Sequence, residues 1–133
     1  MTTVLLIDDT ASMRSIHRML LCKVGVERGS VTEVKDGVEG LHSLQDQPYD
    51  LVLCDLEMPN MDGMEMIRAL RAWEAEQGRP RQEAYCVTAA DEVSDEALLE
   101  AGFDRVARKP MNVKKMAIVM DKEPTALQRP YLQ

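Results

Sequence analysis

The chain has 133 residues, of which 45% are hydrophobic and 29% charged. That is the make-up of one domain with a sizeable core, not of a disordered segment. Lys and Arg number 16 against 23 Asp and Glu, a formal net charge of -7, which argues against a nucleic-acid or anionic-membrane binding surface. No apolar run approaches the ~20 residues of a bilayer span. Met1-Thr2-Thr3-Val4 has no basic stretch ahead of an apolar one, so no secretion signal is read. Cys22, Cys54 and Cys86 match no zinc spacing and are taken as reduced packing residues. The protein is therefore expected in the cytoplasm.

Two periodicities alternate along the chain. Val4-Leu5-Leu6-Ile7 is a continuous apolar strand ending at Asp8-Asp9. From Ser12 the period turns helical, with Met13, Ile16, Leu20 and Val24 on one face and Gly25 as a stop. Val31 to Lys35 reads as a second strand, and Val38, Leu41 and Leu44 as a second helix. Leu51 to Cys54 is a third strand. Met64, Ile67 and Leu70 begin a third helix, which runs into the charged segment EAEQGRPRQE. Ala84 to Val87 is a fourth strand, ending at Thr88. Ala97, Leu98 and Ala101 mark a fourth helix, stopped by Gly102. Arg105 to Arg108 is a weak fifth strand before Lys109-Pro110, and Val113 to Met120 a fifth helix. Five strand–helix units in succession predict a parallel sheet with helices on both faces and right-handed crossovers. Strands that are apolar throughout fit a sheet covered on both sides.

In such a sheet the C-terminal strand ends share one edge, where ligands of open α/β sheets bind. Asp8, Asp9, Asp55, Thr88 and Lys109 all fall at those ends. Neighbouring strands are ~5 Å apart, so the carboxylates after the first and third strands can meet. Clustered carboxylates repel unless a cation neutralises them. An all-oxygen cluster suits a hard divalent ion, Mg²⁺ above all, because it binds through one or two carboxylates, waters and phosphate oxygens. With an ammonium (Lys109) and a hydroxyl (Thr88) added, the set serves phosphoryl transfer to a carboxylate nucleophile. An apolar strand running straight into Asp55 would hold that nucleophile still, and MPNMDG would turn the backbone away.

The segments LLIDDTASMR, DLVLCDLEMPNMDGMEMI, VTAA, AGFDRV and KP, in this order and spacing, resemble the receiver domain of two-component response regulators. The resemblance covers about residues 3 to 122. It implies a five-stranded parallel sheet of order 2-1-3-4-5, a flavodoxin-like receiver fold with domain bounds 1–122, and a tail or linker at 123–133. It further implies that Asp55 accepts a phosphoryl group from a histidine of a sensor kinase or histidine phosphotransfer protein. Asp9 and Asp55 would bind Mg²⁺ directly, Asp8 through a water, and the Glu57 backbone carbonyl would be a further ligand. Lys109 would pair with the phosphoryl group, Thr88 would rotate toward it, and the Lys109-Pro110 bond would be cis. The fourth helix, fifth strand and fifth helix would present the surface that changes for a downstream protein target, with no contact to nucleic acid or membrane. Such a domain is a switch and not an enzyme.

The sequence departs from the family in places. Val106 stands where many members carry an aromatic that turns inward as the threonine moves, and Met111 follows Lys109-Pro110 where many have Phe. Glu57 and Ala90 stand two residues after the acceptor and the threonine, where side chains flank the path of hydrolytic water. Two rivals follow: a scaffold that works without phosphorylation, left open by Val106, and a Mg²⁺-dependent phosphatase with an aspartyl nucleophile. The phosphatase would need an acid, usually Asp, where Glu57 stands, and a cap that the chain lacks.

His17 and His42 are placed on helices away from the crevice, as surface or partly packed residues. The ten methionines are read first as core packing. Trp73 is read as the end of the third helix, and Arg79 and Arg81 as a solvated basic spot in a loop.

Overall fold

A computed structural model describes residues 2–121 and the short strand Tyr131–Leu132; residues 1, 122–130 and 133 lie outside the described residues. The elements in chain order are β1 (Val4–Ile7), α1 (Ala11–Lys23), β2 (Val31–Val34), α2 (Gly37–Asp46), β3 (Leu51–Cys54), α3 (Gly63–Gln77), β4 (Ala84–Thr88), α4 (Asp95–Ala101), β5 (Arg105–Arg108), α5 (Val113–Met120) and β6 (Tyr131–Leu132). All pairings are parallel, in the order β2-β1-β3-β4-β5-β6. The expected five-strand order 2-1-3-4-5 is present. A sixth strand is added at the outer edge of β5, where Tyr131 and Leu132 pair with Val106 and Ala107. Composition gives no sign of it, because PTALQRPYLQ has prolines and no apolar run.

Alternation along each strand divides the core in two. Val4, Leu6, Leu51, Leu53, Tyr85 and Val87 point to one face and meet Leu20 and Leu21 of α1 and Met116 and Val119 of α5. Leu5, Ile7, Val52, Cys54, Cys86 and Val106 point to the other. There they meet Leu44 of α2, Met66, Ile67 and Leu70 of α3, and Leu98 of α4. Because both faces are buried, a one-residue register slip would exchange the two cores, so the register is fixed.

α3 runs through Gln77, beyond the apolar stripe that predicts it. Glu, Ala and Gln are good helix formers, and the helix stops only where Gly78 takes a left-handed conformation with φ 63°. The following loop is tied down rather than merely solvated. Arg71 donates to Glu74, to the Gln82 and Gly102 carbonyls and to Asp104. Arg81 pairs with Asp104 at 2.8 Å, and the Arg79 guanidinium lies 5.1 Å from the centre of the Trp73 ring.

Candidate functional site

The register of the sheet makes the site. Ile7 is the partner of Cys54, so the next residues, Asp8 and Asp55, leave neighbouring strands side by side, and the Asp55 N–H donates to the Ile7 carbonyl at 2.8 Å. Asp8, Asp9 and Asp55 each offer a carboxylate oxygen within 4.8 Å of the others. Asp8 is buried, Asp9 exposed and Asp55 half-buried. Asp8 Oδ1 accepts from the Thr10 N–H at 2.9 Å and Asp55 Oδ1 from the Leu56 N–H at 2.8 Å. Lys109 reaches in from the end of β5, its Nζ 3.2 Å from Asp8 Oδ2 and 3.5 Å from Asp55 Oδ1. The Lys109-Pro110 bond is cis. Thr88 closes β4 beside β3 and is buried. Its Oγ1 accepts from the Ala90 N–H at 3.0 Å and its carbonyl from the Lys109 N–H at 2.9 Å. The side chain of Glu57 is exposed in the turn after Asp55.

That turn is built to hold its shape. Asn60 takes the left-handed region at φ 68°, which Asn tolerates better than most residues, and its Nδ2 donates to Asp36 Oδ2 at 2.8 Å. The Gly37 N–H donates to the Met61 carbonyl. Asp62 and Glu65 form a capping box on α3. A side chain at Gly63 would put a Cβ 2.4 Å from the Asp55 carbonyl oxygen, so the chain can pass this close to the acidic cluster only as glycine. Met66, Met111 and Met116 are buried and Met58, Met61 and Met64 half-buried against the core, as core packing predicts, but Met19 on α1 is 49% exposed.

Burial raises the Asp55 carboxyl above its ordinary value; Lys109 opposes this and the Asp8 charge adds to it. An oxygen-only cluster containing one such strained carboxylate and a single ammonium has the chemistry of a hard divalent cation site. The thiols behave as packing groups. Burial pushes Cys54 well up and Cys86 to about 12.

His17 departs from expectation. It is 4% exposed, its Nε2 has no hydrogen-bond partner among the described residues, and burial and then the Lys109 charge lower its pKa. It lies inward on α1 within electrostatic reach of the crevice, on the face that buries Leu20 and Leu21, whereas Ile16, expected on the apolar face, is 44% exposed. His42 is exposed. Sequence reasoning also passed over Arg108, whose contacts are made with distant loop carbonyls that no local pattern announces.

Residues 4–121 match the family model of the response regulator receiver domain. The chain belongs to the response regulator receiver family. The receiver is 33% identical over 118 residues to the Sensor protein GacS of Pseudomonas syringae pv. syringae, covering 88% of the receiver and 13% of that much longer protein. It is 32% identical to Two-component response regulator 24 of Arabidopsis thaliana, over 90% of the receiver and 82% of the relative. Among solved structures it superposes on the Francisella response regulator 1452 receiver domain with a TM-score of 0.76 at 23% identity, covering 89% and 92% of the two chains. With the receiver domain of Saccharomyces cerevisiae Ssk1, solved in complex with the histidine phosphotransfer protein Ypd1, the TM-score is 0.78 at 21% identity, covering 87% and 83%. These likenesses carry the fold. No described helix of the receiver is long and apolar enough to cross a membrane.

Proposed function

We propose that this receiver is a phosphorylation switch in which Asp55 accepts a phosphoryl group from a phosphohistidine of a sensor kinase or a histidine phosphotransfer protein. The observation that carries the reading is the convergence of Asp8, Asp9, Asp55 and Lys109 at one sheet edge. A carboxylate oxygen of Asp55 attacks phosphorus, the P–N bond breaks as the P–O bond forms, and the departing imidazole takes up a proton. Lys109 neutralises the transferred group's oxygens. Asp9, Asp55 and the Glu57 carbonyl would hold Mg²⁺, with Asp8 acting through a water; bound there, the ion would neutralise charge building on the phosphoryl oxygens. The likeness to the sensor protein GacS and to the receiver solved with Ypd1 supports histidine-bearing partners.

The output is a two-state change. The aspartyl phosphate draws the Thr88 hydroxyl toward it and alters the face of α4, β5 and α5, where a downstream protein would bind. Moving such an equilibrium from 1:99 to 99:1 takes ~5.5 kcal/mol of differential stabilisation. Incubation with acetyl phosphate and Mg²⁺ is expected to label the wild type and not Asp55→Asn, with calorimetry detecting Mg²⁺ uptake. Equal labelling of the two proteins would sink the acceptor assignment.

A further inference from the structure

Thr88 and Arg108 are register partners at the ends of β4 and β5, and both grip the same loop. The Ala90 N–H donates to Thr88 Oγ1 at 3.0 Å. The carbonyl of the same residue accepts from Arg108 Nη1 at 2.6 Å. Arg108 Nη2 reaches the Val93 carbonyl at 2.8 Å and the Asp95 carboxylate, in the first turn of α4, at 2.5 Å. Arg108 is also fixed from behind, since Lys115 Nζ of α5 donates to its carbonyl at 2.9 Å. One guanidinium therefore joins the start of α4 to the residue before Lys109. Its planar fork spans three acceptors, which an ammonium cannot do.

We propose that Arg108 is the positioning residue that holds the β4–α4 loop in the unphosphorylated arrangement, so that phosphorylation at Asp55 is read out by release of this grip. The inference rests on the phosphoacceptor reading above. Ala90 is 6% exposed. If Thr88 Oγ1 swings toward a phosphoryl oxygen, the Ala90 N–H must follow it or be left buried without a partner. Following it carries the Ala90 carbonyl off Arg108, and the loop then frees Val93 and Asp95. Val106, two residues earlier on β5, is aliphatic and fully buried and has no polar group with which to take this part. By linkage, whatever weakens the grip favours the phosphoryl-bound arrangement.

Beryllofluoride with Mg²⁺, a phosphoryl mimic, tests the proposal in the full chain by calorimetry and by amide exchange of residues 89–101. In the wild type, beryllofluoride is expected to speed exchange in this segment several-fold. In Arg108→Gln the segment already exchanges fast, beryllofluoride adds little, and its affinity rises by about tenfold, within the ~5–150-fold span of ordinary coupling. That rise is diagnostic, because removing a cation near an anion site, or mere damage to the loop, lowers affinity. Arg108→Lys keeps the charge and loses the fork, and Asp95→Asn keeps an acceptor oxygen but loses the charge that strengthens one of the three bonds; both are expected to shift the same way by smaller factors, and they decide the matter if Arg108→Gln does not fold. Unchanged or lower affinity, with the full ligand-dependent exchange difference intact, overturns the latch alone. No beryllofluoride uptake by the wild type overturns both the latch and the phosphoacceptor reading.

Discussion

Lys109 and Asp8 are 101 residues apart in the chain and 3.2 Å apart in space. The same ammonium lies 3.5 Å from Asp55, so one cation serves two carboxylates whose side chains are 6% and 13% exposed. With Asp9, three formal negative charges stand against one positive, and the two left over match a divalent ion.

Asp55→Asn is expected to stabilise the metal-free protein at neutral pH. The folded carboxyl is raised above 3.8 by burial, so its ionised form opposes folding above that raised value. The advantage of Asn fades as pH falls through the folded value and is gone well below 3.8, where both states hold the proton. Urea unfolding of both proteins across this range checks the sign, and a wild type more stable than the variant at neutral pH contradicts it.

His17 carries the opposite titration. Its folded pKa lies below 6.5 because burial and the Lys109 charge disfavour the imidazolium. Below 6.5 the unfolded chain binds the proton first, so acid progressively costs stability until the folded pKa is passed. His17→Leu, close in volume, is expected to unfold at higher urea than wild type at about pH 5.5, with the gap narrowing at about pH 7.5. A pH-independent gap means that packing, not titration of His17, sets the difference.

Gly63→Ala forces a Cβ to 2.4 Å from the Asp55 carbonyl oxygen. Backbone must move, at a cost of ~1–3 kcal/mol, and the acceptor moves with it. Labelling by acetyl phosphate is expected to slow ~tenfold or more. An alanine variant that labels at the wild-type rate shows that the turn does not position Asp55.

Arg71→Met leaves Glu74, which is 6% exposed, without its ion-pair partner, and removes the tie to Asp104. Losing one side of a buried pair costs ~3–5 kcal/mol. Arg71→Lys is expected to recover little of it, since four acceptors need the guanidinium fork. Urea midpoints read the difference, and a Lys variant as stable as wild type excludes the network reading.

Much of this was legible in the linear chain because it depends on neighbours a few residues apart. Apolar runs of four residues set β1, β3 and β4, spacing of three and four set the helices, and Gly25 and Gly102 ended α1 and α4 where expected. The end of α3 lies beyond Trp73 because its last turn, Glu74 to Gln77, carries no large apolar side chain to extend the stripe: the residue buried there is the charged Glu74, and the Gly78 cap ends the helix. The strand ends likewise exposed Asp8, Asp9, Asp55, Thr88 and Lys109 as one candidate set.

What the chain could not state was anything settled by contacts across large separations. The inward aim of His17 depends on which face of α1 meets the sheet. The grip of Arg108 depends on carbonyls 15 and 18 residues away in sequence, and β6 depends on an open edge at β5. Local pattern fixes periods and breaks, since these arise from steric preference and burial along one segment. Only the packed sheet decides which distant polar atoms come within hydrogen-bond reach, because that depends on the register of whole elements against each other.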